Sequence, residues 1–311
     1  MLTVLVQGVV VGAIYGLFAV GIVLVHRGSK VVNFAAPELG TFAVFLTWSM
    51  VQGLGVNWLT AAILALLATA AVSAAYERLV VARMIDAPRL AVAVSTIGLM
   101  LLLIAVELLV WDPSPRFLPG PIGGLGPQVF GVFVSPTQLI SLVVVAVLGF
   151  GLTRFLRRTD FGLAVQAAAM DPVAVRLVGV RLADVSTFVW VTGGVLAGIA
   201  ALLVEPTIGA FVPGFMTTAF FVPSLAAALI GGLDDVNGAF VGGIVVGILS
   251  QGTERLLLSS PVPGASSLVV FVLIVVVLLL APSGVVAGVR DRLARNLSEP
   301  ATPGPALGVA S

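Results

Sequence analysis

Residues 159–179, TDFGLAVQAAAMDPVAVRLVG, are the polar interruption around which this 311-residue chain is organised. The stretch contains charges, a cluster of alanines and a proline, and membrane-length apolar runs lie on both sides of it. This pattern predicts a short helical pair outside the bilayer rather than another membrane span. In a transport protein, such a segment would offer a surface to the component that drives transport.

The composition is that of a membrane protein. Hydrophobic residues make up 59% of the chain and charged residues 9%, whereas soluble domains carry about 25% charged residues. The net charge is +1 and the basic residues are scattered, so there is no concentrated basic face for nucleic acid. The chain has no cysteine, which excludes disulfides, thiol nucleophiles and thiolate metal sites.

Nine apolar segments approach the roughly 20 residues that a membrane span requires. We therefore expect an all-α polytopic membrane protein with about 8–9 transmembrane helices. The second helix is predicted to be broken, because it contains Asn33, Pro37, Glu38 and Gly40. The nine segments are residues 2–25, 31–50, 57–80, 90–110, 137–155, 186–204, about 216–233, 236–253 and 264–281.

The connecting segments complete the predicted organisation. The Pro- and Gly-rich residues 111–136 predict an ordered extracytoplasmic loop with a small hairpin at QVFGVFV, residues 128–134. The late sequence GAFVGGIVVG, residues 238–247, spaces small residues for close helix contact. We expect a transmembrane domain over residues 1–289, with residues 159–184 as its cytoplasmic segment, and a disordered cytoplasmic tail at residues 290–311.

The basic residues orient the spans, because Lys and Arg concentrate on the cytoplasmic side. If the nine spans alternate from an N-terminus outside, only Arg116 and Arg255 lie outside. The sequence therefore predicts an outside N-terminus, a cytoplasmic C-terminus and a cytoplasmic segment at residues 159–179. The basic residues predicted inside are Arg27, Lys30, Arg78, Arg83, Arg89, Arg154, Arg157, Arg158, Arg176, Arg181, Arg290, Arg292 and Arg295.

The sequence offers little for catalysis. His26 is the only histidine and lies in a basic turn, so we interpret it as an interface residue. Lys30 is the only lysine, and its context HRGSKVV does not match the Gly-rich turn that binds ATP phosphates. Any ATP must therefore be bound by a partner. No metal site is expected, and an intramembrane enzyme is an alternative that would depend on His26.

Acidic residues within a span are candidates for function, because a charge at the bilayer centre costs about 2.5–3.5 kcal/mol. Glu38, in the broken helix near Asn33, is predicted to line a cavity. Glu107 either reaches the outer interface or lines a polar path, and Glu205 before Pro206 is interpreted as a helix terminator. Broken helices also expose amides and carbonyls, which could hold a zwitterion, a hydroxyl-rich solute or a urea-like solute.

Taken together and in order, several motifs resemble the membrane permeases of branched-chain amino-acid (Liv-type) ABC importers. The resemblance covers roughly residues 6–288. Its parts are GVVVGAIYGLFAVGIVLVHRGSKVVNFAAPELG, STIGLMLLL, TDFGLAVQAAAMDPVAVRLVGV, AALIGGLDDVNGAFVGGIVVGILSQ and APSGVVAG. It implies a permease subunit of the plasma (inner) membrane that pairs with a second permease, homologous or identical, two cytoplasmic ATPases that bind the ATP, and an extracytoplasmic solute-binding protein.

The resemblance also implies roles for individual residues. The residues implied to border the translocation path are Asn33, Phe34, Glu38, Gly40, Thr96 and Gly98, to which the charge argument adds Glu107. The residues implied to form the coupling helix that docks on the ATPase are Gly162, Ala167, Ala168, Asp171, Ala174 and Gly179. Two departures stand out: the family's N-F-A-H-G is here Asn33-Phe34-Ala35-Ala36-Pro37, and its Arg before the coupling alanines is Val165-Gln166.

The expected function is thus ATP-driven import of a small polar solute, with branched-chain amino acids first and other amino acids, urea, amides or a sugar as alternatives. A stand-alone secondary transporter or channel using Glu38 and Glu107 is the competing hypothesis. The two hypotheses differ over the coupling segment, since only the importer requires it for uptake.

Overall fold

The computed structural model describes residues 2–84, 86–124, 126–129, 132–256 and 265–280. Within these ranges the chain is almost entirely helical. The helices are α1 Leu2–Ser29, α2 Ala36–Trp48, α3 Trp58–Leu79, α4 Arg89–Trp111, α5 Pro136–Arg158, α6 Asp160–Met170, α7 Pro172–Leu177, α8 Leu182–Ile208, α9 Phe221–Gly231, α10 Val236–Leu256 and α11 Ala265–Leu280.

Six helices of the described chain are long and apolar enough to cross a membrane: α1, α3, α4, α5, α8 and α10. Each of the nine predicted spans falls on a helix, but α2, α9 and α11 are shorter, with 13, 11 and 16 residues. A π-helical turn, Ser49–Gly53, extends α2, and a second one, Met216–Phe220, precedes α9. The prediction of a polytopic membrane protein built from helices is thus confirmed, whereas the predicted number of spans and their orientation stay predictions.

The second helix begins later than the sequence predicted. α2 starts at Ala36, not at residue 31, and it has no break between Ala36 and Trp48. Residues 31–35 form a buried turn in which the Asn33 side-chain oxygen accepts the Ala35 amide at 2.9 Å. The interruption therefore lies before the helix, where Asn33 satisfies the backbone and Pro37 occupies the first turn.

Small residues set a close helix contact, which joins α1 and α10 in antiparallel fashion. A Cβ placed on Gly12 would lie 2.7 Å from the Gly243 carbonyl oxygen, and one on Gly8 would lie 2.7 Å from the Ile248 Cα. Gly247 packs on Gly12 in the same way. The prediction that the GAFVGGIVVG stretch makes close helix contacts is confirmed, because these glycines let the two backbones approach.

Polar contacts at the two ends of the bundle follow the alternating course of the helices. At one end, which we call the basic end, Lys30 Nζ lies 3.2 Å from Asp234 Oδ1, and Thr187 Oγ1 donates to Glu77 Oε2 at 2.7 Å. At the opposite end, which we call the loop end, Gln138 Nε2 donates to Gln7 Oε1 at 2.8 Å. Contacts of this kind place successive helices from α1 to α5 and from α8 to α10 antiparallel to one another.

The loop after α4 is tied to the loop end. Arg116 and Phe211 exchange two backbone hydrogen bonds, of 3.0 and 2.8 Å. Hydrogen bonds from Ser114, with the Arg116 guanidinium nearby, hold the pKa of the exposed Asp112 carboxyl below its ordinary value. The predicted hairpin is confirmed as two antiparallel strands, β1 Gln128–Val129 and β2 Val132–Phe133. The tail predicted at residues 290–311 lies outside the described residues.

Candidate functional site

Two carboxyl groups that are 69 positions apart in sequence meet inside the bundle. Glu38, in the first turn of α2, and Glu107, near the end of α4, are both fully buried and are polar neighbours of each other. Within the described part of the chain neither belongs to an ion pair with a basic residue. The interpretation in which Glu107 reaches the outer interface is wrong, because α4 turns this side chain toward α2.

The segment between α8 and α9 covers this carboxyl pair. Gly214, which has a φ of +80°, donates its amide to Glu107 Oε2 at 3.4 Å, and the Met216 amide points at Thr41 Oγ1 at 3.4 Å. Neither oxygen of Glu38 makes a hydrogen bond of normal geometry within the described residues, although Thr41 and Thr217 are beside it. A positive φ favours glycine, so Gly214 lets the backbone turn onto the carboxyl pair.

The other predicted path residues have different surroundings. The Phe34 amide donates to Thr96 Oγ1 at 3.1 Å, which joins the buried turn to α4. Gly40 faces α8 instead of a cavity, since a Cβ there would lie 2.8 Å from the Ala197 carbonyl oxygen. Gly98 is exposed, with open space around it. The structure thus brings Asn33, Phe34, Thr96, Glu38 and Glu107 to the α2–α4 contact and leaves Gly98 outside it.

Glu205 does not end its helix. α8 continues through Pro206 to Ile208 and ends at Gly209, which has the left-handed φ of +81°. Glu205 is fully buried, and its Oε1 accepts the Leu118 amide at 3.0 Å. The interpretation of Glu205 as a terminator is wrong, because this carboxyl anchors the loop after α4 to the bundle.

Residues 159–179 form two short helices, α6 and α7, joined at one residue. Asp171 ends α6, and its Oδ1 accepts the amides of Val173 and Ala174 at 2.9 and 3.0 Å, which begins α7. Thr159 caps α6 by accepting the Gly162 amide at 3.0 Å. Gly179, with a φ of +85°, follows α7. The sequence prediction of a short helical pair is therefore confirmed.

The outer face of α6 and α7 carries exposed apolar side chains. Met170 is 88% exposed, Leu177 84% and Val178 78%. Ala167 and Ala174 are exposed on the same pair of helices, whereas Gly162 is buried, because a Cβ there would lie 2.6 Å from the Leu156 Cα. We call this face, defined by Met170, Val173, Leu177 and Val178, the apolar docking face.

The second departure from the family pattern, at Val165-Gln166, faces the end of α5. Val165 is 1% exposed, and the Gln166 side-chain amide donates to the Leu156 carbonyl oxygen at the end of α5. These two residues therefore attach α6 to α5 and leave the apolar docking face to their neighbours.

A cleft between α1, α5 and α10 was missed by sequence reasoning. An apolar groove of about 410 Å³ is lined by residues such as Ala146, Gly149 and Phe240. A polar pocket of about 160 Å³ adjoins it at the basic end, and Thr153 and Asn237 line both. None of the residues predicted to border the path lines either cavity. Sequence periodicity could not reveal the cleft, because it arises from how three separate helices pack.

The described helices define an all-α polytopic membrane protein. The chain belongs to the family whose model is described as branched-chain amino acid transport system / permease component, which matches residues 4–278.

Three relatives illustrate the range of similarity. The chain is 28% identical, over 90% of its length and 94% of the relative, to the high-affinity branched-chain amino acid transport system permease protein BraD of Pseudomonas aeruginosa. It is 27% identical, over 90% of its length and 93% of the relative, to the high-affinity branched-chain amino acid transport system permease protein LivH of Escherichia coli K12. A shorter match, 29% identical over 39% of the chain and 33% of the relative, is to the xylose transport system permease protein XylH of Haemophilus influenzae.

One solved structure shares the fold at low sequence identity. It is described as PsaBC from Streptococcus pneumoniae in complex with Fab, and it matches with a TM-score of 0.50 and 14% identity over 94% of each chain. This likeness concerns the fold alone.

Proposed function

We propose that this chain is the membrane-spanning permease subunit of an ATP-driven (ABC) importer and moves a small polar solute across the inner membrane. Branched-chain amino acids are the leading solutes, because the relatives that match along nearly the whole chain are named for them. The partial match to a xylose permease keeps sugars as a more distant alternative. ATP is bound and hydrolysed by partner subunits, and no cofactor is required of this chain.

The apolar docking face is the observation that carries the proposal. Met170 and Leu177 lie outside the candidate spans and are almost fully exposed, although both are large and apolar. An exposed apolar patch outside the membrane marks a contact site for another protein. Because α6 and α7 are short and follow each other directly at Asp171, which ends one helix and caps the other, they suit a groove on a partner ATPase.

The topology of the proposal follows the charges. Residues 159–184 lie in the cytoplasm, the N-terminus lies outside, and the basic end faces the cytoplasm, as the Lys and Arg distribution requires. The loop at residues 111–136 then faces the solute-binding protein. The other partners are a second permease, homologous or identical, and two ATPases.

The path residues proposed from the resemblance remain part of this proposal in modified form. Glu38 and Glu107 are enclosed by Gly214 and its neighbours, so they could border a path only in a conformation in which residues 209–220 have moved. In the described conformation they hold that segment against α2 and α4.

Charge introduced on the apolar docking face tests the proposal. Met170→Asp and Leu177→Asp should each abolish co-purification of the partner ATPase and lower leucine uptake about tenfold or more in proteoliposomes containing the full importer. Leu54→Asp is the matched control, because Leu54 is 76% exposed on another segment of the chain. We expect it to bind the ATPase normally.

The competing hypothesis of a secondary transporter gives the opposite result. In that case the two docking-face variants would transport as well as the control, and purified chain alone would take up solute along an ion gradient. Either observation would overturn the importer proposal.

A further inference from the structure

The cleft between α1, α5 and α10 combines an apolar groove with an adjoining polar pocket. Thr153 on α5 donates to Asn237 on α10 at 3.2 Å, and these two residues line both cavities. On one side of this hydrogen bond lies the apolar groove, and on the other side lies the polar pocket. A ligand lying across the Thr153–Asn237 hydrogen bond would therefore meet an apolar wall at one end and charges at the other.

The groove reaches far into the membrane-spanning part of the chain. Its lining on α5 runs from Leu142 to Thr153, which corresponds to about 16 Å along a helix. That length is roughly half of a 30 Å hydrocarbon core. The groove is open along its outer side, where Phe150 is 72% exposed, and it adjoins the polar pocket at the basic end.

The polar pocket contains side chains of both charges. Arg27 and Arg157 supply guanidinium groups, and Asp234 and Asp235 supply carboxylates. Asp234 is 67% exposed, and its contacts with Lys30, at 3.2 Å, and His26, at 3.8 Å, both use Oδ1. The Oδ2 oxygen of Asp234 takes no part in these two contacts and remains a possible acceptor.

We propose that this cleft is the inner part of the solute path and that it accepts a zwitterion with an apolar side chain. The inference rests on the proposed function and adds the site to it. The solute carboxylate would meet the Arg157 guanidinium, its ammonium group the Asp234 carboxylate, and its side chain the groove beside Phe240. Arginine pairs well with carboxylates, and an apolar wall favours a branched hydrocarbon chain.

This chemistry separates the candidate solutes. A branched-chain amino acid uses both charges of the pocket and the apolar groove. Urea and sugars have neither the paired charges nor an apolar chain, so they would leave the groove empty and the charged groups without solute partners. The enclosed Glu38–Glu107 pair offers only negative charge and no described cavity, so it suits this solute less well.

Cysteine accessibility tests the site without relying on transport. Because the chain contains no cysteine, Ala146→Cys and Val147→Cys each introduce a single thiol. Ala146 and Val147 are neighbours on α5 and both are exposed in the described chain, but only Ala146 lines the groove. In a full importer with cysteine-free partners, a hydrophilic methanethiosulfonate reagent should modify Ala146→Cys about tenfold or more faster than Val147→Cys, since only a wetted groove supplies the thiolate.

Solute protection provides the second measurement. Leucine, supplied with the binding protein and ATP, should slow modification of Ala146→Cys and leave Val147→Cys unchanged. Equal modification rates, or no protection of Ala146→Cys by leucine in an importer that transports leucine, would overturn the site. A third outcome is an importer that does not transport leucine although Ala146→Cys still reacts faster than Val147→Cys. That outcome would contradict the proposed solute but would still support a water-filled cleft.

Filling the groove gives a selectivity test. Ala146→Phe should reduce leucine uptake about tenfold or more and alanine uptake much less, because the added ring takes the space of a large side chain. Val147→Phe is the matched control and should change neither. ATP hydrolysis stimulated by the loaded binding protein reports whether the variant still assembles, and an unchanged leucine-to-alanine ratio in an assembled Ala146→Phe importer would contradict the assignment.

Discussion

The α1–α10 contact should be intolerant of a single added methyl group. In Gly12→Ala, the new Cβ would lie 2.7 Å from the Gly243 carbonyl oxygen and 2.8 Å from the Ile244 Cα, whereas ordinary contact begins at 3.4 Å. The helices must therefore separate by roughly 0.7 Å, and a gap of that size forfeits a quarter to a half of each contact energy. We expect the free energy of unfolding to fall by about 1–3 kcal/mol.

Gly98→Ala is the matched control for Gly12→Ala. Gly98 also lies inside a long apolar helix, but a Cβ there would meet nothing within 4 Å. Alanine is favoured over glycine in a helix by up to about 1 kcal/mol, so this variant should be unchanged or more stable. Thermal unfolding in detergent compares the two variants, and a Gly12→Ala protein as stable as Gly98→Ala would refute the packing argument.

A double variant examines the same contact further. Gly243 lies directly opposite Gly12, so the first added methyl group already forces the helices apart. Gly243→Ala should then cost less in the Gly12→Ala background than alone, because neighbouring substitutions that share a contact are not additive.

Two further predictions concern the covered carboxyl pair and the end of α8. Glu107→Gln should retain wild-type thermal stability and leucine-to-alanine selectivity, because glutamine has nearly the shape of the glutamate side chain and still accepts the Gly214 amide. Glu107→Leu should lower the free energy of unfolding by about 1–3 kcal/mol, seen as a fall in thermal stability, because the Gly214 amide is left without its acceptor. A change of solute selectivity in Glu107→Gln would instead favour a solute path beside Glu38 and Glu107. Gly209→Ala should lower the free energy of unfolding by about 1–2 kcal/mol, since its φ is +81°, and an unchanged melting temperature would contradict this.

The sequence predicted the helices well because span length and apolar runs are local properties. The turn joining α6 to α7 was also predictable, since Asp171-Pro172 is a strong helix start and supplies its own cap. The start of α2 was not predictable from hydropathy, because Val31 and Val32 are as apolar as a helix interior would be. Asn33 folds back on the Ala35 amide and delays the helix to Ala36.

The candidate site could be predicted only in part. Glu38 and Glu107 each stand out in sequence as buried acids, but their meeting depends on the relative register of α2 and α4, which no local pattern reports. Gly40 was predicted to border the path, and in the structure its small size serves packing against Ala197. The cleft carries no motif, because residues as ordinary as Ala146 and Gly149 line it.

The positions of the apolar docking face and the cleft suggest how a partner bound to the docking face acts on the cleft. α6 joins the end of α5 through two contacts to the same residue: Gly162 packs on Leu156, and the Gln166 amide donates to its carbonyl oxygen. Leu156 lies about one helical turn after Thr153 on α5. It lines the polar pocket together with Gln166. A partner that displaced α6 would therefore move the last turns of α5, and with them Thr153 and Arg157 on one wall of the cleft. Because coupling between sites requires an element that both sites bias, the last turns of α5 are the part of this chain best placed to relate ATP hydrolysis to solute release.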